Sequence, residues 1–184
     1  MSEKTLRDEQ IKIITDDIKN VCDLVNIILK HQEWFAELKE RYDYFRFEAF
    51  ANINQEMYRF YWSIGQDIAD FETEENIGED FYHAISNHLS DILNSKLIFS
   101  SDNLKCMRKL HGLFPDGLIE IEKTIKYIPW DHIKFIIDRF ESNKNKVIFY
   151  LNKTLEKQWG FQSLKENIDN GLYENEISKE MCIN

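Results

Sequence analysis

Six glycines and two prolines in 184 residues leave this chain almost without turn punctuation. Sandwiches and barrels need a turn signal roughly every 8–12 residues, which argues against an all-β fold and makes helix the favoured class. The periodicity agrees. Ile11, Ile14, Ile18, Val21, Val25 and Ile28 recur at three- and four-residue steps, flanked by Leu6 and Leu29, which predicts a long amphipathic helix over residues 6–30. A second long pattern covers 42–72, with a stripe through Phe47, Phe50, Ile53, Asn54, Met57, Tyr61, Ile64 and Ile68. It runs into DFETEEN, read as a solvated loop because acidic residues oppose the dipole at a helix C-terminus.

Gly78 opens a third helix, 79–94, with Phe81, Ile85, Leu89, Ile92 and Leu93 inward. The link SKLIF leads to Ser100-Ser101-Asp102, a good N-cap cluster. The fourth helix, 102–113, sets Leu104, Met107, Leu110 and Leu113 on one side and Lys105, Arg108 and Lys109 on another. Helix, short link, helix with a basic face is the outline of a helix-turn-helix. Phe114-Pro115-Asp116-Gly117 is the clearest turn. Weak alternation over 118–128 allows a short hairpin or wing, and further helices follow at 130–141, at 143–157 and from a Ser163 cap to about Leu172. The reading is a mostly α, multi-helix domain with a winged-helix-like core, a helical arm at 1–40, a main domain at 41–174 and a frayed tail at 175–184.

The net charge of −10 argues against a simple nucleic-acid binder. Its distribution is uneven. Residues 1–95 hold 20 acidic and 9 basic side chains, 96–165 hold 8 and 13, and 166–184 hold 5 and 1, so a basic middle lies between acidic ends. Cys22, Cys106 and Cys182 are far apart with no CxxC pair, which fits free thiols in a reducing cytoplasm. No apolar run approaches the roughly 18 residues that span a bilayer, so no membrane association is expected.

Five stretches together resemble a known family: NINQEMYRFYWSIGQDI, IGEDFYHAISNHLSDI, FSSDNLKCMRKLHGLFP, IPWDHIKFII and FYLNKTLEKQWGFQSLKENIDNGLYE. In this order and spacing they are similar to the N-terminal domain of YhcG-type proteins, over roughly residues 42–174. The resemblance implies a helical module that binds DNA or a protein partner and is usually joined to a C-terminal PD-(D/E)XK nuclease-like domain. The 184 residues end about where that domain would begin, and about forty residues of helix precede the matched region. The expectation is therefore a non-enzymatic module without cofactor or metal.

The residues offer no catalytic set to place against it. Pro115-Asp116, Asp17-Ile18-Lys19 and Glu37-Leu38-Lys39 imitate fragments of a nuclease motif, but both triplets precede the dipeptide and lie in helical patterns. His83 and His88 are five apart, as are Cys106 and His111, so neither pair shares a helix face. His132 reads as a structural histidine, and no phosphate loop occurs.

Two charged surfaces remain. Lys105, Arg108 and Lys109, extended by Lys123, Lys126, Lys144 and Lys146, form the candidate for DNA or RNA. Asp67, Asp70, Glu72, Glu74, Glu75, Glu79 and Asp80 form the candidate acidic surface, suited to a protein complex; an acidic inhibitor of a nucleic-acid enzyme, such as a CRISPR or restriction complex, is the alternative function, and a nuclease the third. The first helix's stripe is covered by the second helix or shared in a homodimer. Tyr61, Trp62, Gly65, Trp130 and Trp159 read as structural. Gly65 costs a helix about 1 kcal/mol relative to Ala, which a close backbone crossing would offset.

Overall fold

The computed structural model describes residues 3–74, 78–93 and 97–181. Nine helices and no strand occur among the described residues: α1 (Glu3–Lys30), α2 (Gln32–Glu74), α3 (Glu79–Leu93), α4 (Ser101–Leu113), α5 (Glu122–Ile125), α6 (Trp130–Phe140), α7 (Lys144–Glu156), α8 (Phe161–Asp169) and α9 (Leu172–Met181). The chain divides into two compact units, Met1–Ala49 and Phe50–Asn184, with the boundary inside α2.

In the first unit α1 and α2 are separated only by His31, whose carbonyl accepts the N–H of Phe35 at 3.1 Å. Antiparallel helices need a loop of at least two residues to double back, so α2 cannot fold over α1 as a hairpin. Ile14, Ile18 and Val21 are accordingly 58–59% exposed. The side chains of Leu6, Ile11 and Ile28 lie outside the described residues; at the rest of the stripe the expected cover from the second helix is not made.

The second unit is built around α4. Leu104, Cys106, Met107 and Leu110 are fully buried, as are Ile133, Ile136 and Ile137 of α6 and Val147 of α7. Helix α4 packs on α3 and α6, α6 on α7, and α7 on α5, α8 and α9. Local chemistry fixes the starts. The Ser100 hydroxyl accepts the Asn103 N–H at 3.3 Å, and the Asn143 side chain accepts the Lys146 N–H at 3.1 Å. Pro129 stands at the N-cap of α6, where its missing donor is no loss.

Four sequence expectations change. Residues 118–128 form turns and the short α5, not a hairpin; Ile121, Ile125 and Ile128 follow a helical four-and-three spacing and are all buried. Ser163 lies inside α8, and Gly160 holds the cap position, its carbonyl accepting the Leu164 N–H at 3.0 Å. The tail is helical to Met181, where Lys153–Glu176 at 2.9 Å holds it, and residues 182–184 lie outside the described ones. The acidic run is helical through Glu74. Its Glu72 accepts from Arg108 at 2.6 Å and from the Tyr82 hydroxyl at 2.8 Å, and these bonds offset the unfavourable dipole.

The aromatic segment of α2 is a joint. A Cβ at Gly65 would stand 2.0 Å from the carbonyl oxygen of Met107, so α2 crosses α4 backbone to backbone. Trp62, three residues earlier, donates its Nε1–H to the carbonyl of Phe114 at 2.7 Å and packs on His111 at 5.1 Å. Tyr61 meets Trp130 at 4.8 Å between ring centroids, and the Trp159 N–H bonds the Thr154 carbonyl at 3.0 Å.

Candidate interaction surface

The basic residues of α4 are matched by carboxylates from three other segments. Lys105 meets Glu79 of α3 at 2.5 Å. Arg108 meets Glu72 of α2 at 2.6 Å. Lys109 meets Asp138 of α6 at 3.1 Å and Glu141 just beyond it at 2.6 Å. These pairs tie the central helix to its neighbours. The outer lysines are similarly engaged: Lys144 pairs with Glu120 at 2.6 Å, and Lys146 pairs with Glu174 while lying 5.4 Å from the Phe140 and Tyr173 rings. Lys126 lies 4.6 Å from the Tyr127 ring, and Lys123 is exposed. A phosphate backbone would have to displace carboxylates from most of this face.

The Arg108 pair is the most protected of the four on α4, each side chain 31% exposed. Arg108→Gln leaves Glu72 beside the Tyr82 hydroxyl without its cation. The expected loss is about 1–2 kcal/mol, between the exposed and buried limits for ion pairs, read as a thermal midpoint lowered by roughly 2–8 °C. Lys105→Gln, whose partner Glu79 is mostly exposed, should move the midpoint by less than half as much. Charge reversal of all three residues would set carboxylate against carboxylate and report on folding before binding.

The proposed acidic surface divides as well. Glu72 and Glu79 are the ion-pair partners just described. Asp67, Asp70 and Asp80 are exposed. The side chain of Glu74 and the whole of Glu75 lie outside the described residues.

Beside these acids the structure opens an apolar groove of about 600 Å³ between α2 and α3. Phe60, Ile64, Ile68 and Phe71 form one wall; Phe81, Ile85, Leu89 and Leu93 form the other; Phe99 also lines it. Among the described residues that line it, only Asp67 and His88 have polar side chains. Helical periodicity alone turns all of α3's large apolar residues inward. In the structure Leu93 is instead 49% and Ile92 63% exposed. The signal in the sequence is a surplus: α3 and α2 together carry more large apolar residues than the stripe a helix needs to reach one core.

Burial pushes the Cys106 thiol up to about 12, so it stays protonated and unreactive. Burial, with the Arg108 charge nearby, holds His111 below the ordinary histidine range; burial does the same to His132. Among the described residues the buried Nδ1 atoms of both rings have no hydrogen-bond partner. His132 packs edge-on to Phe161 at 5.5 Å.

No helix among the described residues is long and apolar enough to cross a membrane. A comparison with known protein families matches residues 37–175 to the DUF1016 N-terminal domain. No curated protein and no solved structure matches the chain.

Proposed function

The chain belongs to the DUF1016 N-terminal domain family, and on that premise we propose that it is a non-catalytic protein-interaction module whose α2–α3 groove receives an apolar helix of a partner protein. The groove is the observation that carries this reading. Contiguous exposed apolar surface of this kind marks interaction sites, and a helix laid into a groove is a recurrent recognition mode. Its charge selects the occupant. From residue 60 to residue 95 the sequence has no lysine or arginine, and Asp67, Asp70 and Asp80 are exposed on this stretch. The fitting partner is an amphipathic helix with lysines or arginines flanking its apolar stripe. The internal pairing of the α4 cations favours a protein partner over nucleic acid.

The test uses a fluorescein-labelled amphipathic peptide with a leucine stripe flanked by lysines, and the same peptide with glutamates instead. Fluorescence anisotropy on the full chain should show the lysine form binding at least tenfold more tightly. Phe71→Ser with Leu89→Ser should weaken it at least tenfold, since each large apolar side chain removed from the groove forfeits about 1–2 kcal/mol of burial. Equal affinity for both peptides, or undiminished binding by the groove variant, would overturn the reading. Steeply salt-dependent binding of labelled duplex DNA or RNA by the parent would favour the basic face instead.

A further inference from the structure

Within α1 six of the apolar positions keep a strict alternation of three- and four-residue steps: Ile11, Ile14, Ile18, Val21, Val25 and Ile28. That is a heptad repeat, with 11, 18 and 25 at a and 14, 21 and 28 at d, β-branched at every seam position. A solitary surface helix needs a 3.6-residue period; a sustained period of 3.5 belongs to helices that wrap around one another. Ile14, Ile18 and Val21 are 58–59% exposed and Val25 is 48% exposed, so the seam lies open at these four positions. The single residue between α1 and α2 prevents the hairpin that would have closed it.

We propose that like copies of this chain close the seam, with their α1 helices parallel and in register; β-branched residues at both a and d favour three strands over two. The charge pattern selects a like copy. The chain as a whole carries −10, whereas α1 has five basic and six acidic residues and so carries only −1. Across three heptads the flanking e and g positions hold Thr15, Asp17, Cys22, Leu24, Leu29 and His31, among which Asp17 is the sole formal charge. Between neighbouring parallel helices, g faces the next e of the partner, so Asp17 meets the partner's Cys22 and no like charges face each other. The same seam on every copy makes the contact self-complementary. The seam belongs to the first unit and the α2–α3 groove to the second, and the proposal does not depend on what that groove binds.

Sedimentation equilibrium on the full chain at tens of micromolar tests it. The parent should show a mass at least twice that of one chain. Ile18→Glu with Val25→Glu, which places charges in the seam, should reduce the mass to that of a single chain. Asn20→Glu with Asn26→Glu adds the same charge at exposed positions outside the seam and should leave the parent's mass unchanged. Circular dichroism should show the helical signal and cooperative melt of the second unit in all three proteins. A monomeric parent, a seam variant with the parent's mass, or equal loss of mass in the charge-matched control would each overturn the proposal.

Discussion

Gly65→Ala should cost the fold about 3 kcal/mol or more and lower the thermal midpoint by roughly 6–12 °C, the range expected for a domain of this size. The added methyl would lie 2.0 Å from the Met107 carbonyl oxygen and 2.6 Å from its carbon. Those are backbone atoms in the middle of α4, where Met107 and Leu110 are fully buried and the helix is tied to α2, α3 and α6 by ion pairs. No side chain can swing aside. Either α2 retreats, opening the packing around Tyr61 and Ile68, or α4 bends. Helix propensity works in the opposite direction, favouring alanine by about 1 kcal/mol, so a measured loss understates the steric term. Gly112→Ala is the control. It gains the same propensity in a helix, and its methyl would meet only the far end of the Arg108 side chain, 3.1 Å away. Its midpoint should hold or rise slightly. If Gly65→Ala melts with the parent, the backbone crossing is wrong.

That joint is partly legible in the sequence. A glycine beside Trp62 in a helix with no other glycine has a propensity penalty that something must offset, and a close crossing is the simplest answer. The long helices are legible for a similar reason: over many turns, a 3.6-residue period leaves a clear stripe. The misses are local or relational. Over 118–128 the apolar residues are too few to separate a period of two from one of three and a half, and burial of Ile121, Ile125 and Ile128 settles the segment as helix and turn. Ser163 looks like a cap by residue type, but the left-handed backbone at Gln158, with φ of 51°, has already redirected the chain so that α8 begins at Phe161. The fate of the basic residues is least readable. Helical spacing places Lys105, Arg108 and Lys109 on one face, yet their partners sit at 72, 79, 138 and 141, and no local pattern brings those positions together. The groove escapes for the same reason: periodicity tells which residues are apolar on one side, and only packing tells how much of that side is covered.

Tyr58 should prove the most sensitive polar anchor in the core. It is 3% exposed; its hydroxyl donates to the Ile128 carbonyl at 2.7 Å, and its ring lies 5.8 Å from Trp130. Tyr58→Ala removes ring and bond together and should cost about 3–5 kcal/mol. Tyr58→Phe keeps the ring but leaves a buried carbonyl without its donor, at about 1–3 kcal/mol near neutral pH. The alkaline limb separates these causes. Burial, reinforced by Tyr61 and Asp131, raises the Tyr58 pKa well above the ordinary tyrosine value of 10.0, and burial also raises those of Tyr61, Tyr82 and Tyr150. Above pH 10 the unfolded chain therefore sheds tyrosine protons that the folded chain retains. The unfolded state binds fewer protons, so stability must fall as pH rises through 10 and beyond; below 10 these four groups hold their full contribution. Urea unfolding between pH 7 and 11 should show that fall in the parent. Tyr58→Phe should start lower and decline less steeply, having lost one of the four groups, so the two curves converge toward pH 11. Parallel curves would mean that Tyr58 ionises as readily in the folded protein as in the unfolded one, and that its hydroxyl is not held against the Ile128 carbonyl.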